Sequence, residues 1–423
     1  MKNAQITIFL IIGLVLLLGV GLLIYMASIT PEKKGEEKVA AQALRQAAVQ
    51  PIKDYITTCL DIVSSDALDL IGKQGGRLYI SQGSITPDPG SAQIGSTFIN
   101  HDDLKLFYSI SPPQGTVGTL FFSDAPEYPW PRFPYVGSNV SDIGYFGMSL
   151  LPPLYRKFGA GSLQEQLETY ISSNVIGCFA AGDFPGFNIS TGIPNTTMII
   201  AENLTHLRQE EYISFVIDWP VKIKEAGTGA EITLDKFSVS YPLAFGRIYY
   251  TIKGIIEDEI SNIRYEPDTT SDYFITINND VYDKDDVVVY QDKKYNLKTK
   301  PYEFRILRKN RAPALYWIDQ GKIDQFAYCS YIVEFGLSGN KIIASPDLED
   351  DDYFPLNLSA VDPDNDVVSF RLNPVNPKVD ENAVASYAAQ PAKGGLIITV
   401  YASDDELKDY QKIRIIPKGC PQS

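Results

Sequence analysis

The chain has 423 residues and a net charge of −15, with 44% hydrophobic and 21% charged residues, an ordinary globular composition for roughly two or three domains. Its 26 tyrosines and 20 phenylalanines suit half-buried strands and argue against a disordered stalk. The acidic balance repels phosphate backbones, which sets nucleic acid aside as a partner.

From Ile6 to Met26 there is no charge. At 1.5 Å per residue a helix of this length spans about 31 Å, enough for a bilayer core of about 30 Å, so residues 1–30 are expected to be a transmembrane or signal-anchor helix contacting membrane lipid through residues 6–26. Orientation is contested. Lys33, Lys34 and Lys38 outnumber Lys2, and a basic-residue count places the long part inside, but long domains translocate largely regardless of charge. The stretch Lys2-Asn3-Ala4-Gln5-Ile6-Thr7-Ile8-Phe9 resembles an archaeal class III signal peptide, the leader of type IV pilin-like proteins. The resemblance implies cleavage before Gln5. The sequence departs from the pattern at Ala4, where the family has Gly, and at Phe9, where it has the Glu that registers filament subunits.

Glu32 to Lys38 reads as a charged linker within a helical juxtamembrane region at 31–76. Val39–Ile71 has helical spacing, with a break or kink near Pro51 and an end at Gly72, Gly75 and Gly76. Residues 77–310 read as a mixed α+β ectodomain. Strands are expected at Leu104–Ile110, Thr119–Phe122, Met198–Ile200, Tyr212–Ile217, Phe237–Tyr241, Tyr273–Ile277, Val287–Tyr290 and Tyr302–Leu307. Pro129–Pro134 cannot join a central sheet and reads as an extended loop. Ser162–Cys178 reads as a helix opened by a Ser162/Glu165 capping box, and Gly246–Arg264 as another. Asp283, Asp285 and Asp286 read as a hairpin turn, and Leu348–Asp352 as a solvated acidic edge. Asn310–Pro313 marks a junction.

Four cysteines, Cys59, Cys178, Cys329 and Cys420, lie far apart with no zinc-type spacing. Four cysteines allow three connectivities; Cys59–Cys178 would staple two helices, and Cys329–Cys420 would stay within one domain. The alternative is four buried free thiols. Disulfides require an oxidising exterior.

Residues 311–423 have the short strands and frequent turns of a sandwich, clearest at Tyr353–Ala360, Val367–Leu372 and Leu396–Tyr401. Leu358-Ser359-Ala360-Val361-Asp362-Pro363-Asp364-Asn365-Asp366, with the strand Val368-Ser369-Phe370 and the later Ile398–Leu407, resembles the cadherin-like and immunoglobulin-like modules of prokaryotic surface proteins. Asp362, Asp364 and Asp366 alternate within a turn; carboxylates so spaced can converge on calcium, a hard cation that takes six to eight oxygens. The glycine and terminal glutamate of an EF-hand loop are missing, and the competing reading is a solvated Asp-rich turn. Five sequons, at Asn139, Asn188, Asn195, Asn203 and Asn357, would mark an outer surface if glycosylated.

Only two histidines occur, His101 and His206, and no nucleophile elbow, phosphate-binding loop or dinucleotide fingerprint is present, so the sequence supports no enzyme. The expected fold class is α+β: an N-terminal transmembrane helix, a central ectodomain rich in antiparallel strands and a C-terminal Ig-like β-sandwich. The plan resembles an archaeal class of single-pass envelope proteins, which implies a cell-surface protein with a structural, adhesive or recognition role. Its partners would be membrane lipid and copies of itself or other envelope proteins. A pilin-like subunit of an extracellular filament is the main alternative; a surface carbohydrate-active hydrolase is disfavoured.

Overall fold

The computed structural model describes residues 32–90, 98–112, 146–201, 211–316, 318, 321, 333–338, 341–345, 356–373, 387–389 and 396–415. The charge-free segment 6–26, Thr119–Phe122, Pro129–Pro134, Leu348–Asp352, His206, Cys329, Cys420, Asn139 and Asn203 lie outside them. Among the described residues the fold is mixed α+β, strand-rich and mainly antiparallel, and no helix is long and apolar enough to cross a membrane.

Helix α1 spans Glu32–Lys73. The Glu/Lys-rich stretch expected as a linker is therefore helical, as its good helix formers allow, and the helix runs on through Pro51. Ile52, Ile56, Leu60, Val63, Ala67 and Ile71 recur every three to four residues and bury one side. Gly75 and Gly76 end it with left-handed backbone (φ 68° and 81°), and the Gly76 N–H donates to the Ile71 carbonyl at 2.8 Å.

Strands β1 (Phe98–His101), β2 (Leu104–Ser111) and β3 (Met148–Ser149) open a first sheet. Helix α2 (Leu163–Cys178) follows, its Ser162 cap accepting the Glu165 N–H at 3.2 Å. The Glu165 carboxylate takes the Gly161 N–H at 3.0 Å. Leu163, Leu167, Ile171 and Val175 face inward.

A second sheet consists of β4 (Phe187–Thr191), β5 (Asn195–Ala201), β6 (Tyr212–Glu225) and β7 (Glu231–Tyr241). The long β6 is central, with β7 along one side and β4 and β5 sharing the other. Its inward residues Ile213, Phe215, Ile217, Trp219, Val221 and Ile223 alternate as a half-buried strand requires. Helix α3 (Phe245–Ser261) leads to β8 (Tyr273–Tyr282), β9 (Asp285–Leu297) and β10 (Lys300–Arg308). These complete the first sheet in the order β1-β2-β10-β9-β8, with β2 and β10 parallel.

Helix α1 packs against β10, β7 and α2, so both sheets and all three helices share one apolar core. The approach to β10 is close: a Cβ on Gly72 would lie 2.2 Å from the Glu303 carbonyl oxygen.

Beyond Arg308 the chain forms β11 (Ala314–Leu315), β12 (Val333–Ser338), β13 (Lys341–Ser345), β14 (Leu356–Asn357), β15 (Ala360–Val361), β16 (Ser369–Asn373), β17 (Tyr387–Ala389), β18 (Leu396–Ser403) and β19 (Lys408–Ile415). They make a β14-β13-β12-β17 sheet, a β16-β18-β19 sheet and the β11–β15 pair, all antiparallel. Where one strand is expected over Tyr353–Ala360, the structure places β14 and, after Leu358 and Ser359, the start of β15.

Candidate functional site at a buried charged joint

A dense charged cluster lies where β10 hands the chain to the C-terminal strands. Along β10, Tyr302, Phe304 and Ile306 point into the core, and the alternation carries Arg308 inward too. On α3 the apolar stripe of Ile248, Ile252 and Ile256 continues to Glu259. Arg308 and Glu259 are both almost wholly buried. Burial of charge is costly unless each group is paired and hydrogen-bonded.

The pairing is extensive. Arg308 donates to Asp286 at 2.5 Å and to Glu259 at 3.4 Å, and its Nε lies 3.0 Å from Asp364 Oδ1, an ion-pair distance without hydrogen-bond alignment. Arg311 binds the same carboxylate: its backbone N–H donates to Asp364 Oδ2 at 2.7 Å, and its guanidinium donates to Oδ1 at 2.7 Å. The remaining Arg311 donors reach the carbonyls of Pro363, Glu259 and Phe146. Two guanidiniums thus face three carboxylates: Glu259, Asp286 and Asp364. Burial pushes Glu259 upward, against the pull of Arg308 and Arg311, and does the same to Asp286 against Arg308. Asp364, Asp286 and Glu259 hold Arg308 charged in spite of its burial.

Beside this cluster the Asn310 N–H donates to Asp285 at 2.8 Å, and its side-chain amide reaches Asp404 at 3.0 Å and Glu406 at 3.1 Å. Tyr108 donates its hydroxyl to Asp285. Further along, Leu315 N–H is taken by Asp409 at 2.8 Å, and Gln411 exchanges both amide bonds with the Ile318 backbone. The junction expected at Asn310–Pro313 is therefore clamped from both sides.

The hairpin turn expected near Asp283 is present: Tyr282 pairs with Asp285, and Asp283 takes positive φ (51°). Asp285 and Asp286 correct that reading, because both are buried joint residues and neither is solvated. The three alternating aspartates meet different fates. Asp364 is spent on the arginines. Asp362 Oδ1 accepts the N–H groups of Asp364 (2.8 Å) and Asp366 (3.2 Å), while its buried Oδ2 has no hydrogen-bond partner. Asp366 Oδ2 lies 3.5 Å from the Lys284 ammonium. Among the described residues no group of three metal-ligating side chains is arranged as a cation site, and the Asp364 carboxylate faces two guanidiniums.

Cys59 on α1 and Cys178 at the end of α2 are joined by a disulfide, with a Cα–Cα distance of 5.7 Å. Nearby, Tyr55 packs edge-on against Phe179 and Phe184, and Phe179 against Trp219. Of the sequons, Asn188 stands opposite Lys224 and Asn195 opposite Asp218; all four are exposed, so both asparagines occupy the solvent face of the second sheet. Asn357 is exposed on β14. His101 lies beside the Asp102-Asp103 turn of the β1–β2 hairpin, 3.7 Å from Asp102.

Of the joint residues, the sequence marks Asp285 and Asp286 only as turn residues and Asn310 and Arg311 only as part of a junction, and it does not mark Glu259 and Arg308 at all. The signal was present for two of them, as charged residues on otherwise apolar periodic faces. Compared with family models, curated proteins and solved structures, the chain finds no match.

Proposed function

We propose that this chain is a membrane-anchored extracellular surface protein with a structural, adhesive or recognition role. The observation that carries the reading is the Cys59–Cys178 disulfide, since such bonds form and persist in oxidising exteriors. The charge-free segment 6–26 would hold the chain in the bilayer, and α1, starting at Glu32, would lead from it into the shared core. The two C-terminal sheets support an Ig-like sandwich acting as a cap or spacer, joined to the central part through the charged joint.

A second reading, a pilin-like filament subunit, is favoured by the position of α1. A helix directly after an apolar segment, with its far half packed on the head, could continue into a filament core.

The test is fractionation of cells making the full chain, protease shaving of intact cells and the mass of the mature N-terminal peptide. Membrane-bound, shaved protein starting at Met1 or Lys2 fits the anchored reading. A peptide starting at Gln5 selects the filament subunit. Protein in the cytosol with Cys59 and Cys178 reduced overturns both.

A further inference from the structure

We propose that this chain supplies its own cations at the joint, with Arg308, Arg311 and Lys284 held against the Asp362–Asp366 turn, so that the C-terminal strands are locked to the central part without a divalent metal ion.

Alternating carboxylates in a buried turn need positive charge, because desolvated anions a few ångströms apart repel strongly. A metal ion is one source of it; here the central part of the chain provides another. Arg311 covers both oxygens of Asp364, and Arg308 approaches the same carboxylate from β10. Lys284 comes from the two-residue turn between β8 and β9, on a different strand pair, and reaches Asp366 at 3.5 Å. The negative charges of Asp404 and Asp280 also act on both Lys284 and Asp366. Asp366, Asp404 and Asp364 lie in the C-terminal part, and all three cations lie before Pro313. Attraction therefore runs across the joint, beside the Arg308–Asp286, Arg308–Glu259 and Arg311–Glu259 pairs within the central part.

The inference does not depend on membrane anchoring. Its test uses the purified full chain in detergent, with thermal unfolding followed in EDTA and in millimolar calcium, and radioactive calcium binding measured directly by equilibrium dialysis. The wild-type chain is expected to bind no calcium at the joint and to melt at the same temperature in both buffers. Lys284 lies on a partly exposed turn, so Lys284→Met should still fold. It is expected to melt about 2 °C lower in EDTA and to regain part of that loss in calcium, whereas Lys284→Arg stays calcium-indifferent. A calcium-raised melting temperature or stoichiometric binding in the wild-type chain overturns the proposal. So does a Lys284→Met variant that matches wild type in EDTA. If Lys284→Met fails to fold, Lys284→Gln by dialysis decides the same point: bound calcium supports the proposal, and no bound calcium overturns it.

Discussion

Arg311 holds Asp364 with its own backbone N–H and with its guanidinium, at 2.7 Å in each case, across more than 50 residues of chain. The double grip fixes the direction in which the chain leaves β10. A backbone donor cannot swing as a side chain can, so Asp364 is tied to the path of the peptide as well as to its charge. Arg308 and Glu259 then bring β10 and α3 to the same point. One carboxylate from the C-terminal strands thus meets the central part through two of its secondary elements.

Replacing Asp364 with alanine should be among the most damaging single changes in the chain. It removes the carboxylate that Arg311 holds at 2.7 Å and that Arg308 faces at 3.0 Å, leaving buried guanidinium donors without their partner, and breaking one partner of such a pair costs about 3–5 kcal/mol. Chemical denaturation should show a lower midpoint or a separate early transition, as the C-terminal strands detach before the main core melts. An unchanged midpoint would mean that Asp364 is dispensable to the joint.

The Cys59–Cys178 bond closes a long loop, with a sequence separation of 119. Constraining such a loop in the unfolded chain contributes about 5 kcal/mol in the loop-entropy picture. Cys59→Ala and Cys178→Ala should each lose this amount, and the double variant should lose little more, because either change alone removes the whole bond. Urea unfolding of the three variants measures it; additive losses would instead show that the two side chains stabilise independently.

Much of this architecture could be read from the residues. The spacing of Ile52, Ile56 and Leu60, the Ser162 cap, and the alternation along β6 and β10 are local patterns with local causes, and the elements follow them. The disulfide partner of Cys59 could be inferred because both cysteines fall on helical stretches. The joint was harder, because its members come from α3, the β8–β9 hairpin, the end of β10 and the Asp362 turn, and no local pattern says that these meet. Asp285 and Asp286 read as turn residues since aspartate favours turns; only the arrival of Tyr108, Asn310 and Arg308 shows why they are buried. Asp364 reads as a candidate metal ligand because the sequence displays the carboxylate but not its contact with Arg311, 53 positions earlier.

Gly72→Ala should destabilise the fold even though alanine is the better helix former by about 1 kcal/mol. Its Cβ would meet the Glu303 carbonyl oxygen at 2.2 Å and the Tyr302 hydroxyl at 2.9 Å. Relief requires α1 to lift away from β10, which opens the core along Ile71 and Phe304. Overpacking of this kind typically costs about 1–3 kcal/mol. Adding Tyr302→Phe removes only the hydroxyl contact and should recover little, since the backbone carbonyl remains. Thermal unfolding of the single and double variants separates the two contributions.

Asp362 makes a pH-dependent prediction whose sign can be worked out. Its carboxyl is pushed from 3.8 up to about 7 in the folded chain, first by burial and then by the negative charge of Asp364. Between these two values the folded protein keeps a proton that the unfolded chain has lost. Stability then falls as pH rises, because the slope follows the protons bound in the unfolded state minus those bound in the folded one. The favourable contribution is complete below about pH 4 and gone above about pH 7. Asp362→Asn keeps an acceptor oxygen for the Asp364 and Asp366 N–H groups while removing the charge. The variant should therefore be more stable than wild type at pH 8, match it near pH 4, and show a flatter profile between. Melting temperatures across that range decide the matter: a wild-type advantage at pH 8 would show that the folded joint stabilises the ionised Asp362 and does not penalise it, through a cation that the asparagine cannot bind as well.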